Sequence, residues 1–230
     1  MLARILSKYI SRLKGNAYHI DRRIPDSYLF SLIVTRMMMK FRGFLSGVKH
    51  KGPLFIGRKV VLKSKSKLTM GAGVSIGNGC YIDALSAEGT EFGHNVSIGY
   101  STRIECTGNL QTLGKGMRVG DNVGLGSNNF YGCAGGIVIG KDTIVGNFVS
   151  FHAENHIFST TDKPIRLQGV THQGIAVGSG CWIGAKATIL DGAVIEDGCI
   201  IAAGALVRSG TYEKNGIYGG VPAKLIKYRD

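Results

Sequence analysis

Residues Val177 to Val207 read VGSGCWIGAKATILDGAVIEDGCIIAAGALV, and large apolar residues recur every six places: Val177, Ile183, Ile189, Ile195, Ile201 and Val207. Small residues follow four places after each of the first five, at Cys181, Ala187, Ala193, Cys199 and Ala205. A period of six is neither the 3.6 of a helix nor the two of a plain strand. It predicts a solenoid with three short strands per turn, in which each coil hydrogen-bonds to the next and no helix is needed to satisfy the backbone. The large side chain of each hexad points inward, and the small one sits near the corner.

The same period runs back through the chain. Ile56, Leu62, Leu68, Val74 and Cys80 are spaced by six, as are Met70, Ile76 and Ile82. Arg58 to Lys67 reads as a worn first coil. Phe92, Ile98 and Ile104 resume the pattern ten residues after Ile82, which implies an insertion of four. Leu113, Val119 and Leu125 follow, then Ile139, Val145 and Phe151. Asn128 to Gly136 breaks the pattern and is expected to be a loop. The largest break is the excursion over 153–174, and long departures from a regular scaffold are where function usually sits. After Val207 the repeat is expected to stop, leaving a turn and a short basic tail.

Composition supports this reading. The 35 glycines suit repeated tight corners, whereas 44% hydrophobic residues and no period of three argue against collagen and disorder. Of the five cysteines, Cys80, Cys181 and Cys199 fall at small inward positions and read as core hydrophobes. No CxxC pair indicates a disulfide frame or zinc clip, which suits a reducing compartment.

Charge is uneven. Residues 1–67 hold 16 Lys/Arg against 2 Asp/Glu, a net of +14, and the remainder of the chain nets −1. The basic signal belongs to the N-terminal third, where it would suit an anionic membrane surface, acidic saccharides or nucleic acid. Residues 1–14 read as an amphipathic helix with Leu2, Ile5, Leu6, Tyr9, Ile10 and Leu13 on one side and Arg4, Lys8 and Arg12 on the other. Asp26 or Ser27 would cap a second helix reaching about Phe44. The apolar run from Tyr28 to Met39 is interrupted by Arg36 and is too short to span a bilayer, which needs ~20 residues. A helical cap over the open end of the solenoid is the preferred role for this segment, and an interfacial membrane anchor is the alternative. No secretory leader is evident.

The repeat, Asn155-His156 in the excursion, Cys181-Trp182-Ile183-Gly184 where the coils resume, and Gly219-Gly220-Val221-Pro222-Ala223-Lys224 near the end together resemble the hexapeptide-repeat acyltransferases. The resemblance covers residues 52–230 and is greatest to the galactoside, maltose and surface-polysaccharide O-acetyltransferase branch. Residues 1–50 depart from the short helical start of the maltose and galactoside enzymes. What the resemblance implies is an all-β solenoid, a left-handed parallel β-helix, over residues 51–210. A helical segment 1–50 would precede it and a tail 211–230 follow. It further implies a homotrimer that uses acetyl-CoA, with each active site in a cleft between neighbouring solenoids and no metal.

Residue by residue, the resemblance makes His156 the catalytic base, since a neutral imidazole suits removal of a hydroxyl proton near pH 7. From its position beside Phe151, His152 has either surface packing or support of the acceptor as its role, and Glu154 is a candidate to orient His156 that the sequence alone does not decide. Asn128 or Asn129 would hold the acceptor, although both equally suit turn geometry. Trp182 would line the cleft for CoA and acceptor. Ala185 and Ala203 would expose backbone to the pantetheine arm. Arg208, Lys224 and Lys227 would meet the nucleotide end of CoA. His172 reads as an ordinary loop residue.

The expected activity is O-acetylation of a sugar in surface-polysaccharide assembly, in the cytoplasm or peripherally at the inner face of the cytoplasmic membrane. N-acetylation of an amino nucleotide sugar is the runner-up, and a non-enzymatic polysaccharide-binding solenoid is a weaker alternative. A γ-type carbonic anhydrase would need three zinc histidines, which the spacing of His152 and His156 does not provide. Nucleic-acid binding has only charge in its favour, with no interleaved aromatic platform.

Overall fold

The computed structural model describes residues 2–14 and 17–230. Two helices, α1 (Leu2–Lys14) and α2 (Asp26–Phe44), precede a column of short strands from Lys49 onward. The side chains of Tyr9, Arg12 and Leu13, assigned to the faces of α1 from sequence, lie outside the described residues. Pro25, rather than Asp26 or Ser27, takes the cap position of α2. Its φ of −59° suits the entry to a helix, and Asp26 opens the first turn.

The strands form a three-sided left-handed parallel β-helix. Each coil runs from a first face to a second and then a third. The first face stacks eight strands from Lys49–His50 to Gly210–Tyr212, and the third stacks seven from Val61–Lys63 to Leu206–Val207. The second face begins with Phe55–Ile56, Ser75–Ile76 and Ser97–Ile98. It continues through a bridge at Gly124 into Ile144–Val145, Trp182–Ile183, Ile200–Ile201 and Gly216–Gly219. Along the stack the pairing is parallel, and the hexads are in register: Ile183 lies over Ile201, and Ile189 over Val207.

The hexad residues fill the prism. Val177, Ile183, Ile189, Ile195, Ile201 and Val207 are all 3% exposed or less. Glycine follows Ile183 because coils stack tightly there: a Cβ on Gly184 would stand 2.5 Å from the amide nitrogen of Ala203 in the next coil. All five cysteines are buried free thiols.

Two corners are built from left-handed backbone. Gly73, Asn95, Asn122, Asp142, Gly180, Gly198 and Asn215 form a positive-φ column between the first and second faces. Asparagine and aspartate tolerate this region better than other side chains. Here they also interlock, with Asn95 Nδ2 donating to Asn122 Oδ1 at 3.1 Å and Asn122 Nδ2 to Asp142 Oδ1 at 3.0 Å. Gly79, Ser101, Asn128, Phe148, Lys186 and Gly204 form the matching column between the second and third faces. Insertions gather at the remaining corner, between the third face and the first. The insertion after Ile82 lies there, as do 107–116 and 153–174.

Three sequence expectations change. Asn128 to Gly136 is not simply a loop, because Phe130–Gly132 is a regular strand of the third face. Tyr131 takes the inward position, stacks on Phe151 at 4.9 Å between ring centroids, and donates its hydroxyl to Leu125 O at 2.8 Å. An aromatic residue with a buried hydroxyl acceptor thus stands where the pattern leads one to seek an aliphatic residue. Leu113 is 47% exposed on an insertion, and Met117 and Val119 fill that coil instead.

The strands also continue past Val207. Gly210–Tyr212 and Gly216–Gly219 extend the first and second faces, and Lys224–Tyr228 folds back antiparallel on the latter. Tyr212 and Tyr218 meet edge-on at 4.9 Å and close that end with aromatic rings in place of aliphatic hexads. At the other end, α2 lies on the outer side of the second face. Arg36 covers the Phe55 ring at 4.1 Å and donates to Ser75 Oγ, and Arg42 Nε donates to Ile56 O.

Candidate active site

The excursion leaves the prism after Ser150–His152 and returns at Ile175–Val177. It is not wholly irregular. Asn155–His156 pairs antiparallel with Val170–Thr171, so that His156 faces Val170, and Ile157 N donates to Gly169 O at 3.0 Å. The result is a two-stranded ribbon standing off the corner, with His156 exposed upon it.

Side chains lock the base of this ribbon. Glu154 and His172 stand just before and just after it, and His172 Nε2 lies 2.8 Å from Glu154 Oε2. A carboxylate only accepts, so the imidazole donates. Glu154 is therefore committed to His172 and not to His156, a choice the sequence left open. Beyond His172, the carboxylate of Asp191 in the next coil accepts from the amides of Gln173 and Gly174, the shortest contact being 2.7 Å. Asp191 is 7% exposed. Neither partnership could be read from the sequence, because 18 residues separate each pair.

His152 is the last residue of its strand, points outward, and rests against Phe130 at 5.5 Å between ring centroids. Partial burial lowers the pKa of its imidazole and favours the neutral form.

Asn128 and Asn129 now separate. Asn129 is 2% exposed, and its Nδ2 donates to Leu125 O at 2.7 Å and Gly146 O at 2.8 Å. Its Oδ1 accepts from Val149 N at 2.8 Å. The Asn129 side chain is spent inside the prism and has no capacity for an acceptor, which corrects that assignment. Asn128 has φ +56° and belongs to the corner column, while its backbone amide bonds to Tyr100 O.

Trp182 is 54% exposed on the second face. The register places Ile144, Trp182, Ile200, Ile217 and Lys227 on one line across stacked strands. Ala185 and Ala203 lie next to this face, at the turns that lead to the third, where Gly204 N donates to Ala185 O. Lys224 is exposed on the same returning strand as Lys227. Arg208 follows the last strand of the third face, and its amide meets Tyr212 Oη at 3.0 Å. The chain thus groups Trp182, Ala185, Ala203, Lys224 and Lys227 around the second face. His152 and His156 lie at the opposite corner, between the third face and the first. Within one chain the two groups do not share a cleft.

A groove of about 440 Å³ lies on the first face beside the ribbon's return, lined in part by Arg118, Ile137, Gln173 and Ala176. Neither His156 nor Trp182 lines it. Among the described residues no three His, Cys, Asp or Glu side chains converge as metal ligands would.

Residues 174–209 match the family described as bacterial transferase hexapeptide (six repeats). No curated protein sequence matches the chain. Among solved structures, similar ones include a variant of AntD, an N-acyltransferase from Bacillus cereus, in complex with dTDP-4-amino-4,6-dideoxyglucose and coenzyme A. It is 20% identical, covers 84% of this chain and 89% of its own, and has a TM-score of 0.55. AntD with dTDP and 3-hydroxybutyryl-CoA is 19% identical over 81% of this chain and 86% of its own, with a TM-score of 0.54. UDP-N-acetylglucosamine O-acyltransferase (LpxA) from Moraxella catarrhalis is 15% identical over 78% of this chain and 68% of its own, with a TM-score of 0.53. At such identities the likeness is one of fold. The chain is built as a left-handed parallel β-helix, and its residues 174–209 carry the hexapeptide repeat.

Proposed function

We propose that this chain is an acyl-CoA-dependent acyltransferase that moves an acetyl group from acetyl-CoA to a saccharide hydroxyl, in surface-polysaccharide assembly. The observation that carries the reading is the ribbon, which projects an exposed His156 from an otherwise continuous hexapeptide column. The repeat family and the complexes of AntD with coenzyme A and a nucleotide sugar support the choice of donor and acceptor classes.

In this reading the His156 imidazole accepts the proton of the acceptor hydroxyl while the oxygen attacks the thioester carbonyl. The tetrahedral adduct then expels the CoA sulfur, which takes the proton back, and the imidazole ends neutral. The small side chains of Ala185 and Ala203 leave backbone open to a ligand lying along the coils. Lys224 and Lys227 supply cations for phosphate on the same side as Trp182, and Arg208 adds another near the end of the column. Because His156 and Trp182 occupy opposite sides of one prism, base and donor site would come from adjacent chains. That is the reason to expect a homotrimer.

N-acylation of an amino nucleotide sugar is the second reading, and the likeness to AntD with its amino sugar favours it. An amine is nucleophilic once neutral, so it depends less on a base than a hydroxyl does. The test is incubation of purified protein with acetyl-CoA and a panel of simple sugars, nucleotide sugars, amino nucleotide sugars and lipid-linked saccharides. An alkali-labile ester supports the first reading, and an alkali-stable amide supports the second. Absence of acetyl transfer to every acceptor, together with no thermal stabilisation by acetyl-CoA, would reject both.

A further inference from the structure

The inner side of α2 is held on the prism. Leu29 is 2% exposed, Arg36 lies over Phe55, and a Cβ on Gly43 would collide with the Leu54 carbonyl. The outer side is apolar. Phe30, Val34, Met37, Phe41 and Phe44 recur at i, i+4, i+7, i+11 and i+14, which at 100° per residue forms one stripe along the helix. Leu45 continues it. Phe30, Met37, Phe41, Phe44 and Leu45 are 63–77% exposed, an unusual density of apolar side chains for a protein surface.

The surroundings of the stripe are basic. Lys40 stands three residues after Met37 and four before Phe44, and it is exposed, as are Arg4 and Lys8 on α1, which packs against α2, and Lys49 and Lys51 just beyond. Residues 1–67 carry a net of +14, and one of their two acidic residues, Asp21, is paired with Arg23 at 2.6 Å. Two copies meeting stripe to stripe would bring two such regions together and repel. Among the described residues no helix is long and apolar enough to cross a membrane.

We propose that α2 docks this protein in plane on an anionic lipid bilayer. The Phe and Met side chains would enter the acyl boundary while the lysines and arginines of the N-terminal third face acidic headgroups. The prism holds the stripe outward in one straight line, the form required to lie on a surface. The proposal is independent of the acyl-transfer reading.

The test uses the full-length protein, sedimented with phosphatidylcholine vesicles with or without phosphatidylglycerol. The expected result is recovery with the anionic vesicles only, weakening as salt rises. Phe41→Ser/Phe44→Ser, whose fold is checked by circular dichroism, should reduce partitioning at least about tenfold, since two exposed aromatic side chains lose their apolar burial. A second measurement places a tryptophan in the stripe, Phe41→Trp in a Trp182→Phe background, whose emission should shift to the blue on anionic vesicles. Folded wild-type protein that stays in the supernatant with every vesicle overturns the proposal, as does unaltered partitioning of the double variant. If the double variant also lowers the oligomeric mass by light scattering while the wild type ignores lipid, a second copy covers the stripe and the proposal fails.

Discussion

His172 Nε2 donates to Glu154 Oε2 at 2.8 Å, and this contact joins the two ends of the ribbon that carries His156. Together with the Asp191 contacts to Gln173 and Gly174, this side-chain pair holds the base of the ribbon, and the histidine's position should depend on it. Glu154→Gln and His172→Ala should each lower kcat, by up to about 10²-fold, because small misplacement of a reacting group is costly. The thermal midpoint should hardly move, since both groups are partly exposed and stand outside the prism. Steady-state kinetics beside a melting curve will separate the two effects, and unchanged kcat in both variants would end the positioning role.

His156→Ala should reduce kcat on a hydroxyl acceptor by ~10²–10⁴-fold, the usual contribution of a positioned base. His156 is exposed, so the variant should keep its fold and its affinity for acetyl-CoA. Near-wild-type turnover would move the role of base to His152.

Asn129→Ala should be a stability variant. It strips partners from Gly146 O and Val149 N, whereas Leu125 O keeps the Tyr131 hydroxyl. At about 1–3 kcal/mol for each buried group left unpaired, the loss should reach roughly 3 kcal/mol, or about 6–12 °C in midpoint. Asn128→Gly should be nearly neutral, because its φ of +56° suits glycine. Differential scanning calorimetry of the pair would show the contrast, and equal midpoints would refute it.

His152 gives a pH dependence of known sign. Burial lowers its pKa in the folded chain, so the unfolded chain binds more protons over the window between the two values. Its contribution to stability is present above the ordinary histidine pKa of ~6.5 and is lost as pH falls through the lower folded value. His152→Gln should therefore flatten the acid side of the curve of midpoint against pH. The same slope in both proteins would show that His152 does not contribute.

The cysteines should resist modification in the native state. Burial pushes the Cys181 thiol up to about 11, and every cysteine is buried. A thiol reagent should titrate five equivalents only after denaturation. Rapid labelling of the folded protein would contradict the burial.

What the sequence determined by itself is the prism. A period of six with one large inward residue per hexad admits few other architectures, so Ile183 over Ile201 and Ile189 over Val207 were legible as spacing alone. The excursion over 153–174 was legible for the same reason, as a break in an otherwise regular signal. Tyr131 and Tyr212 were not, because an aromatic residue in an aliphatic slot depends on what its ring and hydroxyl meet in neighbouring coils. Only the tertiary structure separated Asn128 from Asn129, adjacent residues of one type, by turning one onto the corner and the other into the core. It likewise paired Glu154 with His172 across 18 residues and set His156 and Trp182 on opposite sides of the prism. A repeat fixes which residues point inward through local spacing, whereas the meetings that make a site follow from how coils stack and where loops fold back.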